Sequence, residues 1–114
     1  MARVVQDKSF EFALEIIKVC EELNKKHKYE LSKQLLRSGT SVGANIAEAD
    51  YAQSDADRLL KLSIALKEAS ESRYWLKLLT EAAYLNDSKR LISQADEIIK
   101  LLVTSTKTIR SKLG

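Results

Sequence analysis

No proline interrupts this chain of 114 residues, and glycine occurs only three times. Proline breaks a helix interior and each interior glycine costs about 1 kcal/mol relative to alanine. Their scarcity therefore favours long, uninterrupted helices. The length suits one domain with a single core, spanning residues 1–114. With 45% hydrophobic and 31% charged residues the composition is that of a globular protein, and no strand enrichment is visible.

Apolar residues recur at helical spacing in four segments. The first, Lys8 to Lys26, carries Phe12, Ile16, Val19 and Leu23, with a second stripe at Phe10, Ala13, Leu14, Ile17 and Cys20, which together predict a wide buried arc. "NKKHKY", Asn24 to Tyr29, reads as a turn. The second segment begins near Tyr29 and presents Leu31, Leu35, Val42, Ile46 and Ala49, with Ser38 on the same face. Within it lies "RSGTSVGANIAEAD", Arg37 to Asp50, whose glycines and hydroxyls invite a phosphate-loop reading. That reading fails because no lysine follows the glycines and no strand precedes them. The apolar stripe also keeps its phase through the stretch, which predicts unbroken helix. Gly39, Gly43 and Ala47 then fall at i, i+4 and i+8, a strip without bulk that suits close helix packing.

The third segment starts at "SDADR", where Ser54 suits an N-cap and Asp55 and Asp57 the positive end of a helix. Its faces, Leu59, Leu62, Leu66, Ala69, Leu76 and Ala83 beside Leu60, Ile64, Tyr74, Leu78, Leu79 and Leu85, predict a helix of about thirty residues, roughly 45 Å long. "NDS", Asn86 to Ser88, reads as a turn and N-cap. The fourth segment carries Leu91, Ile92, Ala95, Ile98, Ile99, Leu102 and Ile109. Long helices joined by short turns predict an all-α, up-down-up-down antiparallel four-helix bundle. The first three segments are more apolar around their circumference than a lone bundle needs, which predicts self-association.

The chain offers little chemistry. His27 is the sole histidine and sits in the charged turn, so no metal site is expected, and serine has no base to activate it. Glu68 and Glu71 are read as ion-pair partners of Arg37 and Arg73 and not as an acid/base couple. Trp75 and Tyr74 are adjacent, about 100° apart on a helix, so one suits the core and the other an interface. Cys20 can form no intrachain disulfide, which points to a reducing cytoplasm. The N-terminus turns polar too early for a signal peptide, and no apolar run is long enough for a membrane span. The expectation is therefore a non-enzymatic cytoplasmic protein without cofactor or membrane contact.

"LSKQLLRSGTSVGANIAEA", Leu31 to Ala49, with "KLSIALKEASESRYWLKLL", Lys61 to Leu79, resembles the bacterial four-helix-bundle proteins encoded by intervening sequences inside large-subunit ribosomal RNA genes. The likeness extends from about Lys8 to Leu102. It implies a bundle that assembles as a homopentamer, and a kinship with the accessory proteins of diversity-generating retroelements, which are basic pentameric barrels that bind nucleic acid and a reverse transcriptase. The residues that match, Arg37, Ser41, Asn45 and Glu48 in the second segment and Glu68, Glu71, Tyr74 and Trp75 in the third, read with Arg73 as a structural polar signature. Two departures matter. The family's common "EG" is "EA" here, Glu48 and Ala49, which favours an unbroken helix. The net charge is only +3, and the first fifty-three residues carry eight positive and eight negative charges, so the positive surface is not concentrated.

Contacts with RNA, DNA or a ribonucleoprotein partner are therefore assigned to two basic clusters, Lys25, Lys26 and Lys28 in the first turn and Lys107, Arg110 and Lys112 at the C-terminus. Antiparallel order puts these clusters at opposite poles. The competing reading is a protein-binding or purely self-assembling scaffold without nucleic acid.

Overall fold

A computed structural model describes residues 3–114 as four helices: α1 (Val4–Lys25), α2 (Tyr29–Ala49), α3 (Asp55–Glu81) and α4 (Lys89–Leu113). Consecutive helices run antiparallel in an elongated bundle of 47 × 21 × 21 Å. Each helix packs on its chain neighbours, and α1 closes the square against α4 through the sparsest of the seams. The up-down-up-down bundle expected from periodicity is the fold observed. Residues 37–49 are continuous α-helix, so the glycine-bearing stretch is not a loop.

Helix ends are set by local hydrogen bonding. Ser54 caps α3, its hydroxyl accepting from the Asp57 N–H at 3.1 Å, as expected. Ser88 precedes α4 without a capping bond, and its hydroxyl instead meets that of Thr80. α1 and α3 both end in a Schellman motif. The Lys28 N–H reaches the Leu23 carbonyl and the Tyr84 N–H the Leu79 carbonyl, both at 2.9 Å. The left-handed residues these motifs require are His27 at φ 62° and Ala83 at φ 64°. This corrects the expected length of the third helix, which has 27 residues and stops at Glu81. Ala83 is an exposed turn residue, while Leu85 folds back into the core.

One stripe per helix fills the interior: Phe12, Ile16 and Leu23 from α1, Leu35, Val42 and Ile46 from α2, Leu76 and Leu79 from α3, Ile98 and Leu102 from α4. The wide buried arc expected for α1 is corrected accordingly. Cys20 joins the core, but Phe10, Leu14 and Ile17 face outward, because a square bundle takes in only one side of each helix. Hydroxyl residues bring the helices close where no side chain of size would fit. Ser38 and Ser72 are fully buried and bond directly across α2 and α3 at 2.9 Å. The Ser32 hydroxyl donates to the Cys20 carbonyl at 3.2 Å while the Cys20 thiol faces the Ser32 carbonyl at 3.4 Å, which ties α1 to α2. Burial pushes the Cys20 thiol pKa up. That keeps it protonated and unreactive.

Candidate interaction surfaces

The polar signature gathers mainly along the α2–α3 seam. Arg37, on the outward edge of α2, donates from Nη1 to Glu68 Oε1 at 3.0 Å and from Nη2 to Glu71 Oε2. Glu68 and Glu71 lie one turn apart on α3, so a single guanidinium spans both. Trp75, a further turn along, donates its indole N–H to Glu71 Oε2 at 2.9 Å. The Trp75 and Arg37 hydrogen bonds hold the Glu71 carboxyl below the usual glutamate range. The same seam carries Lys61 on Glu48 at 2.9 Å, and the Asn45 amide bonding back to the Ser41 carbonyl at 2.9 Å. Ser41 itself bonds back to the Arg37 carbonyl at 2.6 Å. Every one of these groups has an intrachain partner, which makes the seam a clamp between two helices.

Arg73 departs from its expected role. It points away from the glutamates and pairs with Asp96 of α4 at 2.5 Å, because its position on α3 faces the next seam round. Trp75 is half-buried and Tyr74 exposed, with their rings edge to face at 5.2 Å. The α1–α4 seam is bridged by Lys8 on Glu97 at 3.1 Å and by Arg90 on Glu15 at 3.6 Å.

The small-residue strip divides into parts with different neighbours. A Cβ on Gly39 would fall 2.7 Å from Cγ2 of the fully buried Ile16, so here the α2 backbone presses on α1. A Cβ on Gly43 would meet nothing closer than the Ser9 hydroxyl at 3.4 Å, an ordinary contact, and Ala47 is exposed. Both glycines therefore lie against α1, Gly39 on the Ile16 side chain with no room for a Cβ and Gly43 on the Ser9 backbone with just enough. Gly43 and Ala47 also line a groove of about 650 Å³ between α1 and α2, walled by Phe10 and Ala13 and ended by Asp50 and Tyr51. The Gln6 amide fastens that end by donating to Asp50 Oδ1 at 3.0 Å.

Apolar side chains outside the core cluster on three helices. Phe10 (67% exposed) walls the α1–α2 groove, Leu14 and Ile17 are exposed further along α1 and Leu36 on α2, and Leu60, Tyr74 and Leu78 form an outer ridge on α3. On α4 the sole large exposed apolar residue is Leu113, its last. The bundle thus has an apolar half and a polar one.

The two basic clusters lie at opposite poles. Lys26 donates to the Tyr84 carbonyl at 2.8 Å and the Lys28 ammonium sits 4.2 Å from the centre of the Tyr84 ring, so both pin the α3–α4 turn to the α1–α2 turn. Lys25 is exposed beside them, as are Lys107, Arg110 and Lys112 at the far end, where Lys112 shares a shallow hollow with Arg58 and Asp55. Sequence reasoning missed the Tyr84 anchor, the serine pair and Asp96. The basic turn was visible, but nothing in residue order shows which lysine a distant turn will occupy.

These features define an antiparallel four-helix protein whose polar residues brace seams and whose apolar excess faces outward. The chain belongs to the 23S rRNA-intervening sequence protein family, whose model matches residues 2–104. It is also similar to a protein with unknown function from the S23 ribosomal protein family of Bacteroides thetaiotaomicron, seen in a crystal structure. The two are 48% identical over 91% of this chain and 99% of that one, with a TM-score of 0.88. No curated protein matches the chain.

Proposed function

We propose that this chain is a non-catalytic, self-assembling helical scaffold of the cytoplasm, and that it associates as a homopentamer. The observation that carries the reading is the apolar surface on α1, α2 and α3, set against a polar α4. Patches of this kind are normally closed against a partner, and burial is worth about 25 cal/mol per Å². The number five comes from the resemblance to intervening-sequence proteins, and the likeness to retroelement accessory barrels points to the same count. A non-catalytic role is supported by Glu68 and Glu71, which are both committed to Arg37. Replacing Phe10 and Leu14 together by serine should leave helix content intact and dissociate the assembly. Retained oligomer mass in that double variant on analytical ultracentrifugation would overturn the reading.

A second reading, contact with RNA or a ribonucleoprotein partner, is favoured by the exposed cations at both poles and by the family's connection with ribosomal RNA. A ring of parallel copies would repeat each cluster around a rim. Phosphate contacts release counterions, so affinity for a labelled RNA should fall steeply with salt. A salt-independent or absent signal leaves the scaffold reading alone.

A further inference from the structure

Three of the four seams between helices are fastened by a buried hydrogen bond. The Ser32 hydroxyl reaches the Cys20 carbonyl between α1 and α2, Ser38 meets Ser72 between α2 and α3, and the Ser88 hydroxyl at the start of α4 donates to the Leu76 carbonyl of α3 at 3.5 Å. The α1–α4 seam is the sparsest and has no such bond among the described residues. It is bridged by Lys8 on Glu97 and Arg90 on Glu15, pairs whose side chains are 28 to 74% exposed. Exposed pairs contribute little to stability and are screened by salt. Glu11, Lys18 and Glu22 of α1 and Lys89 and Lys100 of α4 flank the seam and make no ion pair among the described residues.

Gln94 adds a penalty to closure. It stands one turn from both Arg90 and Glu97, on the side of α4 that meets α1, and its side-chain carbonyl oxygen is buried without a donor. Parting of the seam returns that oxygen to water. The other buried oxygen of this kind, on Gln6, lies toward α2, where the same side chain's amide holds Asp50. The two poles also differ. At one, Lys26 and Lys28 hold Tyr84 and so pin the α1–α2 turn to the α3–α4 turn. Toward the other, where α1 begins and α4 ends, the tie between these helices is Lys8 on Glu97.

We infer that the bundle opens along the α1–α4 seam, splaying from the start of α1 and the end of α4, with the pinned turns and the α2–α3 clamp as the hinge. The α1–α2 and α3–α4 hairpins move as units, each kept together by its own buried bond. Opening uncovers apolar core, so the open form is the minor one. The motion is internal to one chain and does not depend on how copies associate.

Paired spin labels on exposed cysteines read this by pulsed electron resonance, with labelled chains diluted in unlabelled protein so that only distances within one copy count. Glu11→Cys with Lys100→Cys spans the seam, and Arg58→Cys with Thr108→Cys spans α3 and α4 toward the same pole as a control for fraying. The parent protein, with Cys20 buried, should take up no label. The seam pair should give a second, longer distance whose share grows as salt rises from about 0.1 to 1 M, while the control pair keeps one narrow distance. Gln94→Leu, which removes the unpartnered oxygen, should shrink the longer population, and Glu97→Lys, which sets like charges across the seam, should enlarge it. A seam distribution as narrow as the control at both salt concentrations overturns the inference. Equal broadening of the two pairs, or a longer population that neither salt nor either variant moves, overturns it as well.

Discussion

Two glycines four residues apart on α2 do different work. At Gly39 the first atom of any side chain would stand 2.7 and 2.9 Å from the γ carbons of Ile16, and Ile16 is fully buried with nowhere to retreat. Gly39→Ala is therefore expected to destabilise, since overpacking costs about 1 to 3 kcal/mol and the gain in helix propensity returns only about 1 kcal/mol. At Gly43 the nearest neighbour would be at 3.4 Å, so Gly43→Ala should be neutral or slightly stabilising. Chemical denaturation of the two variants side by side checks the contrast. Equal effects would mean that the helices part freely at Ile16. Larger residues at Gly43 are a separate matter, because beyond Cβ they would press on the Ser9 backbone of α1, so Gly43→Leu is expected to destabilise by overpacking.

At the level of helices, α2 and α3 are held by Arg37 across Glu68 and Glu71, by Trp75 on Glu71 and by the buried Ser38 and Ser72 pair. Glu71 has a folded pKa below its ordinary value of 4.5, lowered by the Trp75 and Arg37 hydrogen bonds. The linkage sign follows: the unfolded chain takes up the proton first as pH falls. The stabilisation is thus complete above the ordinary value and is lost as pH drops through the folded one. Glu71→Gln should flatten that acid limb of a stability-versus-pH curve, and an unchanged limb would show that Glu71 is not held as described.

Helix number, direction and the continuity of α2 through its glycines were legible in the sequence because an apolar period of 3.6 keeps its phase across each segment. The end of α3 was not. A left-handed C-terminal residue is ordinarily glycine, but here His27 and Ala83 take that conformation, which costs about 1 to 2 kcal/mol and leaves no mark in residue type. Periodicity carried the apolar count of α3 past Glu81 into a turn for the same reason. That Glu68 and Glu71 would pair with arginine was expected, but which of Arg37 and Arg73 takes them was not legible, since charge order does not say which neighbouring helix an arginine will face. Likewise, the excess of apolar residues on α1 could be counted, but only packing shows that Phe10, Leu14 and Ile17 are the ones left outside.

For the whole molecule, the decisive property is asymmetry. A 12.9 kDa bundle with a polar α4 and apolar outer faces on the other helices has a reason to associate on one half only. Its poles, 47 Å apart along the long axis, remain outside that contact, one carrying Lys25 and the other Lys107, Arg110 and Lys112. Two of the lysines at the first pole already serve the fold by holding Tyr84, which leaves Lys25 as the cation there without such a role. Light scattering coupled to size-exclusion chromatography at micromolar concentration tests the association most directly. A single species near five times 12.9 kDa is expected, and a stable monomer over that range would contradict the pentameric scaffold.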